Sequence, residues 1–253
     1  VFDEEGNEVK YQVIKEESNL NLDWRKRIAF EAELKPLELN RFSVFVEFQK
    51  IKDKEKNKRL IFKNDRKYVE IDENTGLLKK YSIDGIDYIK DGFQWVALED
   101  NSDPWGMSDE QQKRMGRDEK AFTLSKTPSG VFKNMKSIQV IEDGDIFLGV
   151  EAFFELENTR ATIKYKIYKL NDDIDIDVTL FMGDIDKIIK LKVPVLTNGK
   201  LIGQTAFGTE ELFTDARENV ALRFIAIDNN NKSLALINSG TYGSHFENNA
   251  LYI

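Results

Sequence analysis

Apolar and polar residues alternate with a period of two along most of this chain, the pattern of half-buried strands rather than helices. The run DIFLGVEAFFELE sets Ile146, Leu148, Val150, Ala152, Phe154 and Leu156 on one face. ATIKYKIYKL followed by DIDIDVTLF predicts a hairpin turning around residues 170–173. Its inward face would carry Ile163, Tyr165 and Ile167 beside Ile174, Ile176 and Val178. A two-residue Asn171–Asp172 loop would place Lys166 opposite Asp177 and diagonal to Asp175, in ion pairs contributing about 0.2–1 kcal/mol each. Asp173, Asp175 and Asp177 resemble a calcium loop only superficially. Such a loop curls around a glycine, whereas here every second residue is Ile or Val, so a solvated strand is expected.

Turn signals recur at short intervals: DENTG (72–76), DGID (84–87), EDGD (142–145), TNGK (197–200) and DNNN (228–231). Many short strands punctuated by Gly, Asn and Asp indicate a sandwich or barrel rather than βαβ units. One stretch reads as helical, SDEQQKRMGRD, where Ser108 and Gln111 form a capping box and Gly116 keeps the helix short. The expected organisation is a small, partial β-sandwich domain over 1–50, a charged linker over 51–65 and a large β domain over 66–253. The small unit is predicted to contain two strands around a Pro36 turn. About 50 residues is too little for a self-standing core, so this unit is expected to complete a sandwich begun upstream. Val1 begins and Ile253 ends within strand-like sequence, and the chain is read as a piece of something longer, with the large domain truncated.

Composition narrows the function classes. The 253 residues are 41% hydrophobic and 32% charged, with a net charge of -8. That acidic balance argues against nucleic-acid binding, which needs a basic face. No apolar run approaches the roughly 20 residues of a membrane-spanning helix, so no membrane partner is expected. There is no cysteine and one histidine. Thiol nucleophiles and thiolate zinc sites are excluded, as is any zinc site needing two imidazoles. Cysteine absence accords with a cytoplasmic location.

Three stretches could carry chemistry. ALEDNSDPWGM holds Asp100 and Asp103 before Trp105, the carboxylate and aromatic types that glycosidases use, although an Asx-Pro turn explains the same residues. GTEELFTDARENVALRF holds Arg217, able to fork onto a carboxylate or sugar hydroxyls, and Glu218. NSGTYGSHFENN holds Tyr242 and the sole histidine, His245. Gly240 and Gly243 would permit a tight loop there with positive φ. A histidine near a carboxylate can do acid/base work, but a lone one is more often structural. Dinucleotide, phosphate-loop, HExxH and GxSxG motifs are absent.

Read together, RKRIAFEAELKPLELNRFSVFV, YVEIDENTGLLKKYSIDGIDYIKDG with EDNSDPWGM, and KLKVPV…IGQTAFGTEELFTDARENVALRFIAI…LALINSGTYGSHFENNALYI carry a resemblance. The chain resembles the region after the catalytic barrel in glycoside hydrolase family 38 α-mannosidases, particularly the bacterial branch. The resemblance implies an all-β, galactose-mutarotase-like β supersandwich preceded by part of a small β-sandwich domain. It also implies that the nucleophile, the acid/base aspartate and a His/Asp-held zinc ion sit on a separate N-terminal barrel. No residue here matches those barrel motifs, so none is assigned as catalytic or as a metal ligand, and no cofactor is expected in this chain. The family's β region buttresses the barrel and lends loops to the sugar-pocket rim. The rim candidates are Asp103, Trp105, Arg217, Glu218, Tyr242 and His245, with Tyr242 and His245 expected to face the barrel beside Arg217 or Trp105. The expected partners are the chain's own barrel and mannose-containing oligosaccharides, and a homo-oligomer stays open. Two other classes compete: a free-standing carbohydrate-binding module, and a mutarotase-like epimerase, which one histidine fits poorly.

Overall fold

The computed structural model describes residues 1–14, 26–47, 60–100, 118–128, 135–196, 199–229 and 231–253. Among these the regular elements are all strands. In chain order they are β1 (Tyr11–Ile14), β2 (Arg27–Phe30), β3 (Ile61–Lys63), β4 (Lys67–Ile71), β5 (Leu78–Ile83), β6 (Ile86–Asp87) and β7 (Gln94–Glu99). There follow β8 (Lys120–Ala121), β9 (Thr123–Leu124), β10 (Ile138–Asp143), β11 (Phe147–Leu156), β12 (Thr159–Tyr168), β13 (Ile174–Phe181) and β14 (Lys187–Pro194). The last are β15 (Lys200–Thr205), β16 (Gly208–Glu211), β17 (Asn219–Val220), β18 (Phe224–Asp228), β19 (Ser233–Ile237), β20 (Gly243–Glu247) and β21 (Ala250–Tyr252). The expected all-β class is what the chain adopts. The helix expected around Ser108 falls outside the described residues.

Five antiparallel sheets result: β1-β2, β3-β4-β5-β6, β10-β11-β12-β13 with β9 also on β11, β17-β20-β21-β14-β7-β8, and β16-β15-β18-β19. One continuous core joins the large domain, with Leu148, Val150, Ala152 and Phe154 of β11 pointing into it as their alternation predicts. Facing residues come from β12 (Ile163, Tyr165), β14 (Leu191, Val193) and β18 (Ile225, Ile227). Turn chemistry closes the hairpins where it was expected. Asp84 and Gly85 take φ of 50° and 77° between the paired Ile83 and Ile86, and Gly76 takes 71° at the end of DENTG. The EDGD stretch joins β10 to β11. Parts of TNGK and DNNN lie outside the described residues.

Two details differ from the sequence reading. In the small unit, β1 pairs with β2, whereas among the described residues the apolar run after Pro36 contributes an isolated bridge, Phe2 to Ser43, and no ladder. Strand β3 lies inside the stretch read as a linker. The small unit is fastened to the large one by buried Gln12. Its Oε1 accepts from Ile146 N at 3.2 Å and Phe147 N at 2.9 Å, while its Nε2 donates to Glu142 Oε2 at 3.2 Å. Gly144 is glycine because a Cβ there would lie 2.3 Å from Gln12 Cδ.

The β12–β13 hairpin shows the expected faces in a shifted register. Ile163 pairs Val178, Tyr165 pairs Ile176 and Ile167 pairs Ile174. Lys166 stands opposite Asp175, however, two residues from the expected Asp177. An even shift preserves both faces, and Asp175 and Asp177 remain on the exposed side of β13. The cause is Lys67, 1% exposed. Its ammonium donates to Tyr168 O at 3.1 Å, Asn171 O at 3.3 Å and Asp173 O at 2.9 Å. A two-residue turn would not gather these carbonyls around one cation, so the connection is longer. Tyr81 Oη adds a bond to Asp172 O at 2.9 Å.

Burial pushes the Lys67 pKa down from 10.5 to about 8, with Asp172 and Asp173 opposing that shift. Between those pH values the unfolded chain holds a proton that the folded chain has released, so this group's contribution to stability rises with pH across that window. Lys67→Met leaves the turn carbonyls without their donor and is expected to lower unfolding free energy by about 2–4 kcal/mol at pH 7. Urea unfolding of both proteins from pH 7 to 10 measures the loss and the slope. The wild type should gain on the variant as pH rises.

Candidate functional site

Sheet β17-β20-β21-β14-β7-β8 has its central strands β7, β14 and β21 largely covered on both faces, and the face turned away from the main core holds a cluster of charged and polar side chains. Alternation along β14 sends Leu191 and Val193 to the main core and leaves Lys190 and Lys192 on the other side. Val96, Leu98, Ala250 and Tyr252 surround them as a second, smaller apolar cluster. Cross-strand pairing then builds a row. Lys192 stands opposite Tyr252, and Tyr252 opposite His245. The imidazole and phenol rings stack at 4.2 Å with 14° between their planes.

NSGTYGSHFENN is therefore not one loop. It comprises a turn, strand β20 carrying His245, and a tight hairpin turn into β21. Positive φ falls on Asn248 (50°) and Asn249 (58°) rather than on Gly240 or Gly243. Two successive left-handed residues make a type I′ turn, whose twist suits a two-residue hairpin.

Glu218 completes the cluster from the loop before β17. Its Oε1 lies 3.1 Å from His245 Nδ1 and 3.0 Å from Lys190 Nζ. Facing a carboxylate, Nδ1 carries the hydrogen. Lys190 is 2% exposed and His245 3%, and Lys190 also donates to Gly243 O at 3.4 Å. Burial pushes the Glu218 carboxyl up, but the His245 bond and the Lys190 charge outweigh it and hold the group below its ordinary value. At the other end of the row Glu119 pairs with Lys192 and accepts from Tyr252 Oη at 3.0 Å. The Lys192 ammonium lies 5.4 Å from the Tyr252 ring centre.

The loop bearing Glu218 is tightly organised. Asn219, buried, bridges it internally: Phe213 N donates to its Oδ1 at 2.8 Å, and its Nδ2 donates to Phe213 O at 2.9 Å. Ala216 is held at φ 67°, a left-handed conformation disfavoured for residues with a Cβ. Arg217 stacks on the Phe213 ring at 3.9 Å and donates through Nε to both Asp215 oxygens at 3.0 and 3.1 Å.

The sequence candidates thus separate. Glu218 and His245 meet directly. Arg217 lies beside them in the chain but outside their cluster, packed on Phe213. Tyr242 lies beyond the start of β20, its side chain exposed and its carbonyl accepting from Ala221 N at 3.0 Å. Asp103 and Trp105 lie outside the described residues. Lys190, Lys192, Glu119 and Tyr252 escaped the sequence reading. Their signal was QWVALE, a strand apolar on both faces, which implies that lysines alternating on the neighbouring strand are buried too.

This cluster pairs charges in a dry environment and offers little to a reacting molecule. A general acid or base must come within hydrogen-bond reach of substrate, and His245 is sealed, its Nε2 buried without a partner. Zinc does not fit here either. The only imidazole is committed to Glu218, and no three His, Cys, Asp or Glu side chains converge as a metal site among the described residues.

Residues 62–253 match the family described as Glycosyl hydrolases family 38 C-terminal domain. No curated protein matches the chain.

Glu218→Gln is expected to cost about 2–4 kcal/mol at pH 7, because it leaves the Lys190 ammonium buried without its counter-charge. A carboxyl with a depressed folded pKa contributes its stability above its ordinary pKa, 4.5 for this group, and loses it as pH falls through the folded value. Thermal unfolding from pH 7 to 3 should show the wild type and Glu218→Gln converging towards the acid end.

Proposed function

We propose that this chain, which belongs to glycosyl hydrolase family 38 through that family's C-terminal domain, is the non-catalytic β-sandwich region of a retaining α-mannosidase. The chemistry of such an enzyme, with its zinc ion, belongs to a barrel elsewhere in the parent protein, and this region supports that barrel and lends polar loops to the sugar-pocket rim. The family match over 62–253 carries the reading. The site geometry supports it. The sole histidine, a residue type often used for acid/base work at neutral pH, is stacked, hydrogen-bonded and buried. What the region presents outward is the Arg217–Phe213 pair and Tyr242, the donor and aromatic types that recognise hydroxylated rings.

One observation favours a second reading, a free-standing carbohydrate-binding module. An open groove of about 510 Å³ runs beside the β15–β16 hairpin, lined by Gln204, Thr205, Thr209 and Phe224, with Phe207 fully exposed at the tip. Calorimetric titration with mannose oligosaccharides separates the two, since a module binds with saturable heat whereas an accessory region gives a flat trace.

The isolated chain, assayed with an aryl α-mannoside with and without added zinc, is expected to show no turnover. Zinc-dependent hydrolysis by this chain alone would place the chemistry here and contradict the proposal.

A further inference from the structure

The β15–β16 hairpin turns on two residues, Ala206 and Phe207, between the paired Thr205 and Gly208. Phe207 N donates to Thr205 O at 3.1 Å, which holds the tip tight, and the Phe207 ring stands fully exposed. Beside it lies the groove of about 510 Å³, walled by Leu222 and Phe224. Leu222 N donates to Gln204 O at 2.8 Å and seats that wall against β15. Phe224 pairs with Ile237 of β19, which is exposed as well. Their chain neighbours Ile225 and Leu236 turn to the main core, so by alternation Phe224 and Ile237 lie on the outer face of the sheet. Contiguous apolar surface of this kind, left in water, marks an interaction site.

We propose that this hairpin is a two-fold contact between two copies of the chain, in which Phe207 of each copy enters the groove of the other. A two-fold interface requires one patch to be complementary to itself. A protruding ring next to a hollow large enough for a ring meets that requirement, since one rotation seats both rings at once. Electrostatics selects the same partner. The chain carries a net charge of -8, so two copies repel over most approaches, but no residue lining the groove is ionisable. The ionisable residues that flank the lining in sequence, Glu210 and Arg223, are both exposed and opposite in sign, so the rim is not a single-sign field. Extension of the sheet is the poorer route. Strand β16 is the edge there, and Glu210 and Glu211 put charge on it. The copies therefore meet through side chains, with the two Phe207 rings as aromatic anchors seated in pockets. The contact is independent of where the parent enzyme's chemistry lies.

Sedimentation equilibrium of the chain over about 1–100 μM, the range in which contacts of modest size assemble, should show a reversible monomer–dimer equilibrium. Phe207→Asp should raise the dimer dissociation constant on the order of a hundredfold, because it removes an anchor and puts an unpaired charge in its pocket. Being fully exposed, Phe207 can be replaced without opening the core, and Phe207→Ala should weaken the dimer in the same direction without adding charge. Phe181→Asp, which changes an exposed aromatic on β13, should leave the dimer unaltered. The full-length parent protein should lose the same association on Phe207→Asp. A wild-type chain that stays monomeric throughout the range overturns the proposal, as does a dimer that survives Phe207→Asp or weakens equally with Phe181→Asp. A full-length protein whose association ignores Phe207→Asp overturns it too, because other parts of that protein then cover the groove. Saturable binding of mannose oligosaccharide to a monomeric chain, lost in Phe207→Ala, overturns it by assigning the groove to a saccharide.

Discussion

A charge taken out of water must be answered by an opposite charge or by a full set of hydrogen bonds, and much of this fold is arranged around two such answers. Lys67 and Lys190 are among the most deeply buried side chains of the molecule, yet both are cations. Lys67 is met mainly by backbone, three carbonyls of the β12–β13 connection, and in being met it sets the length and register of that hairpin. Lys190 is met by the Glu218 carboxylate, and through it the loop before β17 is pulled onto the sheet. In each case the ammonium does what a short apolar side chain could not, because it reaches out to organise a loop: Lys67 a connection of another sheet, Lys190 the loop that enters an edge strand of its own sheet. The His245–Tyr252 stack then fills the space beside the second pair, so that the ion cluster is packed as well as paired.

This arrangement recasts the one histidine. Isolated in sequence, an imidazole beside a carboxylate suggests proton transfer. Here the carboxylate is shared with a lysine, one ring face is covered by a tyrosine, and the remaining nitrogen is sealed. The dyad serves as a fastening. Membership of the glycosyl hydrolase family 38 C-terminal domain accords with such a role, since the proposed division of labour leaves chemistry to another part of the parent protein and asks of this region a rigid frame. Rigidity is what antiparallel sheets joined by one core provide, and it lets a short loop such as 213–219 hold a precise shape at the surface.

Much of the fold was legible in the sequence, because period-two alternation and turn residues are local signals. β11, β12 and β13 show their expected faces, and DGID and DENTG turn as their glycines dictate. What escaped was set by distant partners. The β12–β13 register could not be read from the hairpin alone, since Lys67, from another sheet, decides where it turns. The apolar run after Pro36 looked like a strand by composition but among the described residues finds a bridge instead of a ladder. For the candidate site, Glu218 and His245 were both noticed, separately, and their meeting depends on the β17–β20 ladder, which pairs Asn219 with Ser244. Lys190 and Lys192 escaped notice because alternation shows that two faces differ and is silent on whether both are covered.

The account turns on His245 being held by Glu218 rather than available to a substrate. Because the chain has a single histidine, nitrogen-15 NMR of the labelled imidazole at neutral pH reports on it without assignment. The expected spectrum shows Nδ1 carrying a proton that exchanges slowly with water, and ring protons displaced by the stacked Tyr252. An imidazole averaging between tautomers and exchanging freely with solvent would contradict the account.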